Sequence, residues 1–227
     1  VSTLYLVRHG QASWNLPDYD QLSDLGAEQA RMLGRFLSER GVKVDAIYAG
    51  PLRRQQQTAR LVMQTADYPE PILERGLEEH HTGGIIRSAL PALSQDDPEL
   101  ARELGADAFA TVKPFQRVFG YAMKRWASGA PCDDGVETHA SFCARVDGAI
   151  RRIRDEQGRG RTVMAVTSAG PVARVLQTAL GLSHEVTFEL NLVVANASIT
   201  ELRWRDDAMT VMGFNAVMHL EDRVTFR

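Results

Sequence analysis

The chain has 227 residues, 44% of them hydrophobic and 24% charged, with a formal net charge of -3. This is enough apolar material for one domain with a full core, with room for an insertion, and the lack of a basic block argues against a nucleic-acid partner while leaving room for a small anionic substrate. Two cysteines, Cys132 and Cys143, argue against a disulfide scaffold; with no membrane-spanning apolar run and no secretory signal, the expectation is a cytoplasmic protein without a membrane partner.

Thr3 to Val7 reads as a buried strand ending in Arg8-His9-Gly10. A polar, turn-rich stretch with Pro17 follows. Ser23 or Asp24 then caps a helix through Arg40, with Ala30, Leu33, Phe36 and Leu37 on one face and Gly41 closing it. Val44 to Ala49 is a second strand, and Gly50-Pro51 opens a helix over Arg53 to Met63. Ile72 to Leu77 gives a short third strand.

Residues 85–130 break the alternation and read as a helical cap insertion within a single domain spanning 1–227, with Pro91 and Pro98 as punctuation and Arg87, Lys113 and Arg117 as candidate substrate contacts. Phe142, Val146, Ile150 and Ile153 recur at helical spacing. Thr162 to Thr167 is the next strand and Pro171 to Leu180 the helix after it. Ser198 to Trp204 and Met209 to Phe214 form two last strands around Arg205-Asp206-Asp207; His184, in a loop, and His219, near the C-terminus, are expected at the surface. Strands alternating with helices imply an α/β three-layer sandwich with a mostly parallel central sheet.

Ligands of open α/β sheets bind beyond the carboxyl ends of strands, which is where Arg8-His9-Gly10 falls. A lone Arg-His-Gly is more often a charged turn; its company changes the odds. Gly50 to Ala59 (GPLRRQQQTA) follows the second strand and starts a helix whose free N–H groups favour anions. An arginine there can fork onto two phosphate oxygens. Leu77 to Gly84 (LEEHHTGG) supplies carboxyl groups able to protonate a leaving oxygen.

Together these segments resemble the histidine phosphatase superfamily, which contains the cofactor-dependent phosphoglycerate mutases. LVRHGQASWN is similar to the family's nucleophile signature and matches His9; PLRRQQQTA matches its second arginine at Arg54; LEEHHTGG matches its proton donor at Glu79. DQLSDLG, GVET and NASIT, at residues 20–26, 135–138 and 196–200, also resemble family stretches in the right order. The resemblance implies a phosphomonoesterase in which His9 takes the phosphoryl group, Arg8 and Arg54 bind it, and Glu79 moves the proton. It implies no cofactor and no metal, and a small phosphorylated substrate; a homodimer is compatible with it. The short spacing from His9 to Asp20 favours a phosphatase, and EHHTGG pulls modestly toward phosphoglycerate-mutase-type transfer.

One departure stands out. Where the family carries a second histidine after the fourth main strand, this chain has Val166-Thr167-Ser168-Ala169-Gly170-Pro171, with Ala169 in the histidine's place. A methyl group donates no hydrogen bond, and one lost donor costs about 10²–10³-fold in rate. Ser168 and backbone N–H groups can serve instead, or a histidine from elsewhere, His81 or His139; a low-activity phosphate-ligand binding protein is the remaining reading. The substrate-contacting set is then Arg8, Arg54, Gln11, His81, Ser168 and Ala169.

Overall fold

The computed structural model describes residues 1–13, 20–103, 112–206 and 208–226, with backbone alone for residues 103 and 112–115. The expected turn at Pro17, the Lys113 side chain and Asp207 lie outside the described parts. Strand β1 (Ser2–Arg8) is followed by helix α1 (Asp24–Glu39), β2 (Ala46–Ala49), α2 (Arg53–Ala66) and β3 (Ile72–Leu73). Helices α3 (Thr82–Asp96), α4 (Pro98–Glu103), α5 (Val112–Ala127) and α6 (His139–Gln157) come next. Then follow β4 (Thr162–Thr167), α7 (Ala169–Leu180), α8 (His184–Val193), β5 (Ile199–Arg205) and β6 (Ala208–Ala216).

The sheet order is β3-β2-β4-β1-β5-β6. Strands β1 to β4 are parallel, β5 runs antiparallel to β1, and β6 antiparallel to β5. Alternation along each strand divides the core between two faces. Val7, Ile47, Met164 and Val166 share one face with Ala30 and Leu33 of α1 and Ala59 and Val62 of α2. Leu4, Leu6, Ala165 and Leu202 share the other with residues of α3, α5, α6, α7 and α8. Each fully buried leucine or valine contributes roughly 1.5–3 kcal/mol. The architecture is the α/β sandwich that the alternation implied, and helices α3 to α5 draw on the same apolar cluster as the sheet.

Four local expectations are corrected. The third strand is two residues long and gives way to a 3₁₀ turn at Arg75–Leu77. Pro91 does not end its helix but lies within α3 on the exposed side, where solvent can satisfy the carbonyl that proline leaves without a donor. His184 begins α8 rather than a loop, because the Ser183 hydroxyl accepts from the Val186 N–H. His219 is buried, its Nε2 3.0 Å from the Ala197 carbonyl and its ring 5.2 Å from that of Phe36.

Burial gives these histidines a pH signature. Desolvation is the largest cause lowering His139 and His219 to about 4, and Nδ1 of His219 has no hydrogen-bond partner among the described residues. With folded values below the unfolded one near 6.5, the unfolded chain takes up these protons first. The stability they contribute is therefore full above pH 6.5 and is lost as pH falls toward 4. The melting temperature should fall across that window, and His219→Gln, which keeps a donor for the Ala197 carbonyl, should make the fall shallower. An unchanged pH slope in the variant would refute this role for His219.

Candidate active site

The carboxyl ends of β1, β4 and β2 are joined by backbone hydrogen bonds. The His9 N–H donates to the Thr167 carbonyl at 2.8 Å and the Gly50 N–H to the Val166 carbonyl at 3.1 Å. From the antiparallel side, the Ala197 N–H donates to the Arg8 and His9 carbonyls at 3.0 and 3.2 Å, and Asn196 Nδ2 to the His9 carbonyl at 3.2 Å. The residue after β1 is thereby fixed from both neighbours.

Two glycine contacts complete this floor. A Cβ on Gly10 would lie 2.3 Å from the Gly26 carbonyl oxygen, and one on Gly26 would lie 2.1 Å from the Gln11 carbonyl oxygen. Backbone meets backbone there, so no side chain fits.

His9 is 4% exposed. Its Nδ1 lies 2.7 Å from the Gly10 carbonyl, which requires an N–H on that nitrogen. Its Nε2, left with the lone pair, accepts from Arg54 Nε at 3.0 Å. Desolvation, then the positive charges of Arg54 and Arg8, hold its pKa well below 6.5 against the opposing pull of the Gly10 carbonyl. Such an imidazole stays neutral and nucleophilic at neutral pH.

Arg54 is the second residue of α2 and 9% exposed. Its Nη1 pairs with Asp20 at 2.7 Å, and the other Asp20 oxygen accepts from the Arg53 N–H at 2.9 Å. Arg53 itself points outward. Arg8 Nη1 donates to the Val194 carbonyl and to the Phe226 carbonyl. Arg54 thus donates to the lone pair of His9 while Asp20 holds its other arm. A phosphate oxygen accepting from Arg54 Nε would release that lone pair.

Glu79 lies on the loop after the 3₁₀ turn. Its Oε1 accepts from the His80 N–H at 3.0 Å and its Oε2 from the Gly170 N–H at 3.1 Å, which ties it to the first turn of α7. Arg145 supports this loop, donating to the carbonyls of Gly76 and Glu78 at 3.0 Å each while Glu137 holds its guanidinium bidentately at 2.9 and 2.7 Å.

Ser168 is buried and its hydroxyl accepts from Gln55 Nε2 at 2.9 Å. Ala169 is buried as the first residue of α7. The Gln11 side chain accepts from the Ser23 hydroxyl at 2.9 Å. His81 is exposed at the start of α3, and His80, not His81, is the buried member of the pair. His139 is half-buried, its ring 4.9 Å from that of His184. Arg87 is exposed, and Arg117 pairs with Asp97 at 3.6 Å on the surface.

Sequence reasoning misses Asp20, Gln55 and Thr58; it leaves His80 evenly divided between loop surface and pocket wall and prefers His81. Gln55 is wholly buried, and besides Ser168 it binds the Leu77 carbonyl at 3.1 Å. Thr58 accepts from the Gly10 N–H at 3.0 Å. Both follow Arg54 on the buried face of α2; polar residues recurring at helical spacing in step with Ala59 and Val62 were the available signal.

Residues 4–114 and 102–217 match the sequence model of the Histidine phosphatase superfamily (branch 1). The chain is 25% identical to Phosphoglycerate mutase-like protein 4 of Arabidopsis thaliana over 96% of its own length and 87% of that protein. It is 35% identical over 103 residues to a 2,3-bisphosphoglycerate-dependent phosphoglycerate mutase of Rhizobium etli, a match spanning 42% of this chain and 46% of that enzyme. Among solved structures it is similar to a variant of the Entamoeba histolytica phosphoserine phosphatase in complex with phosphoserine, with TM-score 0.67, 20% identity, 97% of this chain and 100% of that one covered. It is also similar to a mycobacterial glucosyl-3-phosphoglycerate phosphatase with inorganic phosphate, with TM-score 0.66, 23% identity and coverage of 96% and 99%. These structural likenesses bear on the fold. Among the described residues, no helix is long and apolar enough to cross a membrane.

Proposed function

The chain belongs to the histidine phosphatase superfamily, branch 1, and from that membership we propose that it hydrolyses small phosphomonoesters through a phosphohistidine on His9. The observation that carries the reading is the tautomer of His9, with Nδ1–H on the Gly10 carbonyl and the Nε2 lone pair beside the Arg54 guanidinium. Phosphate oxygens replace that lone pair as the acceptor for Arg54 Nε. Nε2 then attacks phosphorus while the P–O bond to the alcohol breaks. Glu79 gives its proton to the departing oxygen, and its carboxylate next takes a proton from the water that cleaves the N–P bond. Arg8 and Arg54 supply the positive charge on the equatorial oxygens, so the reaction is proposed to run without a metal or cofactor.

Phosphoryl transfer of the mutase type is the second reading, favoured by the 35% identity to a mutase over 103 residues. We place Ala169 where the family's second histidine stands. The donors proposed in its stead are backbone N–H groups at the start of α7 and Ser168, whose hydroxyl already receives Gln55. His81, exposed at the start of α3, is the weaker candidate, and a low-activity phosphate binder is the reading that remains without turnover.

A substrate screen in EDTA, run on the natural protein and on Ala169→His, tests the proposal. Hydrolysis should persist under chelation, and the variant should gain at most roughly 10²–10³-fold, the scale of one restored donor. Activity recovered only by adding a divalent ion would overturn the metal-free mechanism. A fall in the variant would mean that another group fills that space.

A further inference from the structure

Beside Glu79 sits a histidine that the proposed reaction leaves unused. His80 is 6% exposed. Its Nδ1 lies 3.0 Å from Thr82 Oγ1, and its Nε2 lies 3.5 Å from Glu79 Oε1 and 3.4 Å from Asn191 Nδ2. Trp126 and Phe142 meet the ring edge to face, each with centroids 5.5 Å away and interplanar angles of 61° and 70°. On the side of α7, a Cβ on Gly170 would come within 2.1 Å of Glu79 Oε1 and 2.8 Å of His80 Cδ2. The imidazole is caged and the direction of Nε2 is set by packing. Thr82, whose hydroxyl proton can rotate, can donate to Nδ1; in that tautomer the ring proton sits on Nε2, facing the carboxyl group, and the Asn191 amide turns its oxygen rather than its nitrogen to it.

We propose that His80 is a positioning residue for Glu79, holding Oε1 through Nε2–H and so setting how well the protein expels poor leaving groups. The inference rests on the reading of Glu79 as proton donor. In that step the N–P bond to His9 forms as the ester P–O bond breaks. The bonding pair goes to the ester oxygen, and the Glu79 proton joins it; His80 breaks no bond. A carboxyl free to swing is out of line when the proton is needed, and small misplacements are costly. An alkoxide needs that proton, whereas p-nitrophenolate leaves largely without it.

The test compares p-nitrophenyl phosphate with the alkyl monophosphate that the natural protein turns over fastest. In His80→Phe, which keeps the aromatic packing, the ratio of alkyl to aryl turnover should fall by about tenfold or more, in the direction of Glu79→Gln, since a general acid contributes about 10²–10⁴-fold. His80→Gln, which can return a donor to Oε1, should recover most of the ratio. His80→Asn, too short to reach, should lower it, giving a second measurement if phenylalanine disturbs folding. A purely structural role would lower both substrates alike and leave the ratio unchanged. An unchanged ratio in His80→Phe and His80→Asn, with a reduced one in Glu79→Gln, overturns the inference alone. An unchanged ratio in Glu79→Gln overturns the assignment of Glu79 and the inference with it.

Discussion

His9→Ala is expected to abolish the phosphoenzyme and to lower turnover by about 10⁴–10⁶-fold, the scale on which removing a nucleophile acts in other covalent enzymes. The environment of His9 argues for an effect of this size. The ring is 4% exposed, and its protonation is opposed by burial and by two arginines, so Nε2 is available as a nucleophile at neutral pH. Enzyme quenched with labelled substrate should hold a phosphoryl group that survives alkali and is lost in acid, as an N–P bond does. The variant should hold none. It should still bind inorganic phosphate, because Arg8 and Arg54 remain, and that binding separates chemical loss from misfolding. Equal labelling in the variant would move the nucleophile elsewhere.

Arg54→Ala is expected to lower kcat/KM by about 10²–10³-fold, and Arg53→Ala by less than about threefold. The two residues are adjacent, but about 100° of helix rotation separates them. It turns Arg54 inward to His9 and Asp20 and leaves Arg53 exposed. The backbone N–H of Arg53 that binds Asp20 survives truncation to alanine. Losing Arg54 has a second consequence, because its charge is the next cause after burial that lowers the His9 pKa. In Arg54→Ala that pKa should rise, and the acid limb of the rate profile should move to higher pH. The natural protein should show no loss from His9 protonation near pH 6.5, since its value lies well below that. Comparable loss of phosphate affinity in the two variants would contradict this placement.

Elements with strong periodicity were legible from the chain alone. The alternation of Thr3 to Val7, the apolar run at Thr162 to Thr167 and the stripe along α1 each bury what they should. Helix α8 was not legible, because Thr187 and Phe188 are its only buried residues among those described and its valines and threonine favour strands. Arg8, His9 and Arg54 lie at the ends of regular elements, where a pattern fixes the register. The choice between His80 and His81 falls on a loop without periodicity, so nothing local decided which ring turns inward. Asp20 meets Arg54 across 34 positions of sequence, and such a pairing leaves no mark on either segment read by itself. The burial of His219 is likewise decided by distant partners, Phe36 and the Ala197 carbonyl.

The backbone-to-backbone seam at Gly10 and Gly26, with Gly170 against Glu79, also bears on how this protein can change. A methyl group at any of these positions would have to displace main chain or the carboxylate. The floor of the pocket is thus closed to gradual alteration, since its first step is already a collision. New substrate preferences, whether arising by descent or selected from a mutant library, have to enter through the surrounding walls. Met123 and Trp126 of α5 and Thr187 and Phe188 of α8 line a cavity beside His80 and Gly170, and side chains there can change size one methylene at a time. Diversity directed to those helices should return folded variants with shifted substrate range, whereas diversity at the three glycines should return mostly inactive protein.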